Sequence, residues 1–579
     1  MSSSHSISPP DLRRISAGAT GWRLLPFAVF ALLTLMTWKR WILPFQDSGR
    51  ELLTASRLAS GELLYRDVGS PYGPLPAYLD ALAFRIFGKD LDVLIGLRLA
   101  MSLLGVEAIR RLLVRLAADE ACASAITAFI AATCFFGDGG NYPFPYSVAA
   151  LEGTVGIWWG LELALSSEDR GRTFLASLVA GLAGGTKLEM LPAALLAVAP
   201  PLFLRRPRRE ALAGMAVATF VAGSSFLLPI ALLGSDVIRR YGFLIAFPVP
   251  EPWREMYWRF VLFAHTTPRD FLLGGFLKVW LPSVTFLALA VSLCRASISA
   301  TVRALGLAFL CLVPLRLLRG NAEIAALLPA AAVLFVLEAV AFWRRRRVPD
   351  PAVDARLFVA LAALPALARQ PFFLRNLIYG AFSAPLALAV SMGWLSRLVS
   401  ARRAFAVFLV GLAGAHAFLK WDENRHQAVE WVDVPHARLY LPAGEARFVR
   451  LAVSAIQRQT PPGAYVAAFP DPGFLLYSAD RRSPFVDDVF YPGCQDAIAE
   501  EKMIGRLSEA PVAMVLVTNR NFSEYGPATY GEGVLDRFFT ELARRYRPAA
   551  TLSALPRSVW PGRHATMATL WLPREAQPP

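Results

Sequence analysis

The sequence is poor in cysteine and histidine, and neither residue type is arranged to bind a metal. Its 579 residues include five cysteines, four of which lie in apolar segments, and no Cys-x-x-Cys pair is present. This arrangement argues against a disulfide framework and against a zinc module. His416, His426 and His436 are ten residues apart. That spacing fits no metal site on one face of a helix.

Charged residues are also scarce, which excludes most soluble classes of protein. They make up 18% of the chain, whereas 55% of its residues are hydrophobic. Many apolar runs approach the ~20 residues that a membrane helix needs. The net charge of +15 comes from basic residues that cluster between those runs. Positive-inside loops of membrane proteins have this distribution, so a nucleic-acid-binding surface is a poor explanation for the charge.

The apolar runs predict a polytopic α-helical membrane protein with about thirteen transmembrane helices. When the loops alternate between the two faces, most Arg clusters fall on one side, which makes the N-terminus cytoplasmic. The first run follows Arg13, Arg14 and Arg23 and is interpreted as a retained signal anchor. The predicted spans lie near residues 24–45, 91–116, 121–136, 148–166, 172–186, 188–204, 211–233, 271–294, 303–318, 322–342, 355–369, 374–397 and 403–419.

Three regions follow from this topology. Residues 1–20 are polar and Ser-rich and are predicted to be a disordered cytoplasmic segment. Residues 21–420 form the transmembrane domain, and its first periplasmic loop is 46–90. Residues 421–579 are predicted to form a C-terminal periplasmic α/β domain, with no repeat and no catalytic motif. Its predicted helices are 444–459 and 535–546, and its predicted strands are 464–469, 512–518 and 565–572.

The first periplasmic loop carries the most informative acid. Asp47 directly follows the first apolar run, and Ser48 and Glu51 have the spacing of a capping box, which predicts a helix from Ser48 to Gly61. Asp47 would then lie near the positive end of the helix dipole, which favours the ionised carboxylate that a general base needs. Assistance in helix capping explains Asp47 equally well, and Glu51 fits a structural role better than a chemical one.

Two further features lie on the same predicted face. Tyr72 opens a Tyr-Gly-Pro-Leu-Pro segment, which is incompatible with regular helix and predicts a rigid turn between two interfacial helices. Tyr72 is either a structural residue of that turn or a ligand contact. Asp138 lies among glycines that permit close backbone approach to a ligand or ion, although a plain turn also explains them. Asp47 and Asp138 are the two candidate ligands for a divalent metal ion.

Several cations accompany these acids. Lys187 and Glu189 occupy a turn between two apolar runs, where they would form a salt bridge or contact a substrate. Arg375 opens a later run, and Arg57 and Arg66 belong to the first loop. Convergence of these charges on one membrane face favours an anionic, lipid-borne substrate over scattered ion pairs.

These features resemble the GT-C glycosyltransferases. The similar elements are an acid directly after the first span, an amphipathic first loop with a Tyr-Gly-Pro turn, and a Lys-containing turn between short spans. The bacterial branch related to protein O-mannosyltransferases and to the aminoarabinose transferase of lipid A resembles the chain most, including its thirteen or so spans and outer α/β domain. The resemblance implies a bacterial inner-membrane enzyme that takes a sugar from a polyprenyl-phosphate donor.

The resemblance also implies roles for the residues. Asp47 matches the family's catalytic base, and Asp138 matches a second acid in the next outer loop. A lipid, glycan or protein hydroxyl would be the acceptor, attacking in a single inverting displacement. Ser48 stands where protein mannosyltransferases have the second acid of an Asp-Glu pair, which disfavours a protein acceptor. The predicted substrate-binding residues are Arg57, Arg66, Tyr72, Lys187, Glu189 and Arg375.

Two other functions compete with this one. A transporter or flippase of lipid-linked sugars would place ionisable residues inside its spans and often shows internal repeats. The sequence shows no repeat, and its candidate acids lie in outer loops. A structural or assembly protein would leave the charges of the first loop unexplained.

Overall fold

The computed structural model describes most of the membrane region and most of the C-terminal region. The described residues are 17–45, 47–70, 72–136, 141–145, 147–234, 281–312, 328–345, 351–369, 380–426, 428–471, 473–487, 490, 497–519, 530–531, 533–554 and 566–574. Within them are nineteen helices and six strands. The prediction of a mostly helical protein with a smaller α/β part is confirmed.

Fifteen helices precede the first strand in the described part of the chain. They are α1 (Ala17–Met36), α2 (Asp47–Ala59), α3 (Pro74–Phe87), α4 (Leu91–Leu116), α5 (Glu120–Cys134), α6 (Val148–Leu165), α7 (Arg170–Thr186), α8 (Met190–Arg205), α9 (Arg208–Leu233), α10 (Leu281–Arg295), α11 (Ala300–Leu312), α12 (Leu328–Arg344), α13 (Pro351–Arg369), α14 (Gly380–Leu398) and α15 (Arg402–His426).

Where the chain is described, most predicted spans agree with a helix to within a few residues, but the first is wrong at its C-terminal end. Parts of the predicted spans 271–294, 303–318, 322–342 and 374–397 lie outside the described residues. The prediction extends it to residue 45, whereas α1 ends at Met36. Lys39 and Trp41 have φ angles of 56° and 60°, which no right-handed helix accommodates. The carbonyl oxygen of Lys39 instead accepts a hydrogen bond from Tyr440 N at 3.0 Å, so this segment turns towards the C-terminal region.

Three helices of the described chain are long and apolar enough to cross a membrane. They are Val148–Leu165, Arg208–Leu233 and the Arg402–Asp422 part of α15, judged by length and composition. Shorter apolar helices include Glu120–Cys134 and Met190–Arg205. The span count of about thirteen stays a prediction.

Small residues bring the central helices close together. A Cβ atom on Gly181 of α7 would lie 2.8 Å from the carbonyl oxygen of Ala218 in α9. A Cβ atom on Gly156 of α6 would lie 2.8 Å from the Cβ of Ala183 in α7. Glycine at these positions therefore permits close backbone packing, as it does between membrane helices in general.

The C-terminal region contains a hairpin and a four-stranded sheet. The hairpin pairs β1 (Val429–Val434) with β2 (Ala437–Pro442). The sheet has the order β3-β4-β6-β5, in which β3 and β4 are parallel and the other pairs antiparallel. The helices and strands that follow the hairpin are α16 (Ala443–Gln459), β3 (Tyr465–Phe469), α17 (Gly473–Ala479), α18 (Ala497–Glu509), β4 (Val512–Thr518), α19 (Asp536–Arg545), β5 (Tyr546–Ser553) and β6 (Met567–Pro573).

This C-terminal unit packs directly on the first loop. Leu52 and Leu53 of α2 share one hydrophobic cluster with Phe474 and Leu475 of α17. A Cβ atom on Gly473 would lie 2.4 Å from the carbonyl carbon of Gly49. The backbones of α2 and α17 therefore touch, and only glycine at both positions permits that contact.

Candidate functional site

The site begins where α2 starts. The sequence predicts a helix from Ser48, and the structure begins it one residue earlier, at Asp47. Glu51 Oε1 accepts a hydrogen bond from Val148 N at 3.1 Å, so Glu51 also satisfies the first turn of α6. That contact joins two helix N-termini and confirms a structural role for Glu51.

Two turns that the sequence predicts independently are in contact next to α2. Gly73 N donates a hydrogen bond to the Thr186 carbonyl oxygen at 3.0 Å. A Cβ atom on Gly73 would lie 2.0 Å from the Gly185 carbonyl oxygen, so the two backbones lie against each other. The Tyr72 turn (residues 72–76) and the Lys187 turn (residues 186–189) thus form one surface, the Tyr72 surface.

Tyr72 holds two cations at this surface. The Arg50 guanidinium carbon lies 5.3 Å from the centre of the Tyr72 ring, and Lys187 Nζ lies 5.2 Å from it. Both distances are within the ~6 Å range of a cation–π interaction. Tyr65 Oη donates a hydrogen bond to the Tyr72 carbonyl oxygen at 2.5 Å, which fixes the turn. Arg50 lies one helical turn after Asp47, so the two cations adjoin the start of α2.

Lys187 is also paired with Glu189. Its Nζ lies 2.9 Å from Glu189 Oε1, and the Lys187 side chain is 11% exposed whereas that of Glu189 is 44% exposed. The salt-bridge interpretation of this turn is confirmed. Substrate binding by Lys187, Glu189 and Tyr72 stays a prediction.

Arg57 and Arg66 have internal partners. Arg57 is 7% exposed and donates to Glu62 Oε2, to the Phe485 carbonyl oxygen and to the Asp67 carbonyl oxygen, at 2.7, 3.0 and 2.6 Å. It therefore ties the first loop to the C-terminal unit. Exposed Arg66 donates to Asp67 at 2.7 Å, and that hydrogen bond holds the pKa of the Asp67 carboxyl below its ordinary value. Substrate binding by Arg57 and Arg66 stays a prediction.

Three predicted residues lie wholly or partly outside the described part of the chain. Asp138 and Arg375 lie outside it entirely, and Asp47 is described as the first residue of α2 without its side chain. Among the described residues, no group of three His, Cys, Asp or Glu side chains could hold a metal ion. A metal bound by Asp47 and Asp138 stays a prediction.

A buried ionic cluster that was not predicted from the sequence lies among α3, α4 and α6. Arg98 of α4 is 1% exposed, bonds both carboxylate oxygens of Asp80 on α3, and lies 3.3 Å from Glu152 Oε1 on α6. Arg98 and Glu152 lie inside runs predicted as spans. Ionisable residues within spans are expensive to bury and mark functional positions by default, so their presence in those runs was the available signal.

An apolar cleft lies elsewhere in the described structure. It has a volume of about 310 Å³ and is lined by Gly21, Trp22, Leu25, Val407 and Val410. None of the predicted site residues lines it. The cleft between α1 and α15 is therefore separate from the Tyr72 surface.

Comparison with known proteins finds similar solved structures. No family model matches the sequence, and curated proteins give no match. The chain is similar to solved structures of ArnT from Cupriavidus metallidurans in the apo state and bound to undecaprenyl phosphate. The apo structure is 13% identical, with a TM-score of 0.44 over 96% of this chain and 98% of that chain. The bound structure is 14% identical, with a TM-score of 0.44 over 97% of this chain and 100% of that chain.

The identity and the TM-score are both low, so the likeness assigns no activity, substrate or partner to this chain. Any function proposed for it therefore rests on its own residues.

Proposed function

We propose that this protein is a membrane glycosyltransferase. It moves a sugar from a polyprenyl-phosphate donor to a hydroxyl acceptor at the periplasmic face of the bacterial inner membrane. In this orientation the N-terminus is cytoplasmic and residues 421–579 are periplasmic. The observation that carries the proposal is the pair of cations, Arg50 and Lys187, held on the Tyr72 ring beside the first turn of α2.

The cations suit the charge of the donor and of its leaving group. A polyprenyl-phosphate sugar carries a phosphodiester, and departure of the polyprenyl phosphate adds negative charge on its oxygens. Cations held in place beforehand stabilise that developing charge without reorganisation. Lys187 forms its salt bridge with half-exposed Glu189, and we propose that a donor phosphate replaces Glu189 as the partner of the ammonium group.

Asp47 is the proposed general base. It occupies the first position of α2, where the helix dipole favours a charged carboxylate. The acceptor hydroxyl gives its proton to Asp47 as its oxygen forms a bond to the anomeric carbon. The bond from that carbon to the phosphate oxygen breaks, and polyprenyl phosphate leaves with the electron pair. The anomeric configuration inverts in this single displacement.

Donor turnover tests this proposal. Purified full-length protein in lipid would receive a panel of polyprenyl-phosphate sugars with candidate acceptors, and release of polyprenyl phosphate would be measured. We expect Asp47→Asn to lower kcat by roughly 10²–10⁴-fold, the range of a positioned base. Asp433→Asn is the control, because Asp433 is an exposed acid of β1 paired with Arg438. Full activity in Asp47→Asn would remove the base from the mechanism.

Transport of a lipid-linked sugar is the second candidate function. One observation favours it: Arg98 and Glu152 are buried ionisable residues within helices that the sequence predicts to span the membrane. A flippase would move the donor between leaflets of a vesicle without releasing polyprenyl phosphate. Measuring donor movement between leaflets and release of polyprenyl phosphate on the same proteoliposomes separates the two functions.

A further inference from the structure

The buried ionic cluster joins three helices through one side chain. Arg98 of α4 contacts Asp80 of α3 and Glu152 of α6, and the side chains of all three residues are at most 4% exposed. Arg98 also interacts electrostatically with Glu51 of α2. A single guanidinium therefore links the elements that surround the Tyr72 surface.

Two of these helices, α3 and α6, adjoin that surface. α3 begins at Pro74, two residues after Tyr72. α6 begins at Val148, whose N–H group bonds Glu51 of α2. Further along α6, a Cβ atom on Gly153 would lie 2.6 Å from Thr186 Oγ1, so α6 also packs tightly against the residue before Lys187.

Stability alone is a weak reason for such a cluster. Buried ion pairs can often be replaced by apolar side chains of similar volume at no loss of stability. Within the described structure, Arg98 Nε and Glu152 Oε2 are buried without a hydrogen-bond partner. An incompletely satisfied polar cluster costs free energy that an apolar core would not. Its directional bonds do, however, fix the relative positions of three helices.

We propose that Asp80, Arg98 and Glu152 are positioning residues for the transfer reaction. They hold the Tyr72 turn and the Lys187 turn in register with the first turn of α2, and they contact no substrate. This inference rests on the proposed function for its kinetic part. Its structural part, the contact between the two turns, is measurable without any donor.

The structure supplies a matched control on the same two helices. Arg115 of α4 pairs with Glu162 of α6 through two hydrogen bonds of 2.9 Å. This pair lies about 25 Å further along α4 than Arg98. Arg115→Gln therefore breaks an ion pair near the C-terminal ends of α4 and α6, whereas Arg98→Gln breaks one close to the start of α6.

The first readout is hydrogen exchange of the Gly73 N–H group, which bonds the Thr186 carbonyl oxygen. We expect it to exchange faster in Arg98→Gln than in the wild-type protein, and at the wild-type rate in Arg115→Gln. Asp80→Asn keeps the size and one acceptor oxygen of Asp80, and serves if Arg98→Gln does not fold. Equal exchange in the Arg98, Asp80 and Arg115 variants would overturn the proposal.

The second readout is kinetic. We expect Arg98→Gln to lower kcat/KM by about 10²-fold, as a misplacement of about 1 Å does, while Arg115→Gln changes it little. Arg98→Lys should restore only part of the loss, because one ammonium nitrogen would replace the two guanidinium nitrogens that contact Asp80 and Glu152 separately. Equal kinetic losses at Arg98 and Arg115 would contradict positioning. A wild-type protein that turns over no donor would refute the proposed function instead, and hydrogen exchange would still decide the role of Arg98.

Discussion

Tyr72 brings a guanidinium and an ammonium group to within 5.3 Å of one ring centre. Two cations beside one ring repel each other, so flexible side chains in solvent would favour other positions. Lys187 is only 9% exposed and the Tyr72 backbone is held by Tyr65, so the surrounding turns fix the arrangement. Glu189 already lies 2.9 Å from the Lys187 ammonium group and balances its charge, and an anion that replaced Glu189 would have to do the same.

Neutralising Lys187 should therefore weaken donor binding more than folding. We expect Lys187→Met to raise the KM for the donor about tenfold or more, since a hydrogen bond between charged groups contributes roughly 1.5–3 kcal/mol. Steady-state release of polyprenyl phosphate would measure it. Lys502→Met is the control, because Lys502 is an exposed lysine of α18. An unchanged KM in Lys187→Met would separate this lysine from the donor.

Single residues were predictable only where the chemistry is local. The sequence identified Tyr72, Lys187 and Glu189 as candidates, and the structure brings Tyr72 and Lys187 together. It did not identify Arg50, because nothing in its neighbourhood reveals that it reaches a ring 22 residues later. Glu51 has the spacing of a capping residue, yet its bond to Val148 depends on how α6 packs against α2.

At the scale of elements, the contact between the Tyr72 turn and the Lys187 turn depends on Gly73. Its Cβ position would lie 2.0 Å from the Gly185 carbonyl oxygen, a backbone atom that cannot move aside cheaply. We expect Gly73→Ala to separate the turns and lower kcat/KM by about 10²-fold. Kinetics and hydrogen exchange of residues 72–76 would measure both effects.

Gly96→Ala is the matched control for that substitution. Gly96 lies in α4, and a Cβ atom there meets no atom within 4 Å. Alanine in a helix interior is about 0.5–1 kcal/mol more favourable than glycine, so this variant should be at least as stable as the wild-type protein. Similar losses in Gly73→Ala and Gly96→Ala would argue against a specific contact between the turns.

Element boundaries were predictable wherever hydrophobic length sets them. The sequence predicted α4 as 91–116 and β4 as 512–518, and both agree with the structure. It missed the β1–β2 hairpin, where the run from Val429 to Pro442 has no clear break apart from a turn at Pro435 and His436. Short strands that pair mainly with each other give a weak signal in sequence.

At the scale of the whole molecule, the C-terminal unit is part of the site's support. Gly473 touches the backbone of Gly49, and Arg57 bonds the Phe485 carbonyl oxygen. We expect Gly473→Val to displace the first turn of α2 and to abolish transfer. Gly505→Ala is the control, because a Cβ atom at Gly505 meets nothing within 4 Å. Transfer that survives Gly473→Val would show that the two regions act independently.

The interface between the first loop and the C-terminal unit should loosen as the pH falls. Lys89 donates a hydrogen bond to Asp480 at 2.7 Å and lowers the pKa of its carboxyl, and burial lowers the pKa of His436 from its ordinary 6.5. Both groups favour the docked state while deprotonated. Their contributions fall as the pH drops, for His436 below about pH 6.5 and for Asp480 below about pH 4.

Hydrogen exchange of Leu91 N–H, which bonds the His436 carbonyl oxygen, would follow this loosening. After correction for intrinsic rates, we expect faster exchange as the pH falls from 7 to 5. His436→Asn should remove this increase in exchange between pH 7 and pH 5. Asparagine tolerates the φ angle of 65° at this position. A pH profile that is the same in His436→Asn would assign the loosening to other groups.

The contact between Gly49 and Gly473 has a consequence for how the protein is made. The two glycines are separated by more than two thirds of the chain, so the ribosome adds the second about 20 to 85 seconds after the first. During that interval the first loop cannot pack against α17. A nascent or prematurely terminated chain therefore lacks the contact that supports the first turn of α2, and under the proposed function it would carry out no transfer until α17 had been made.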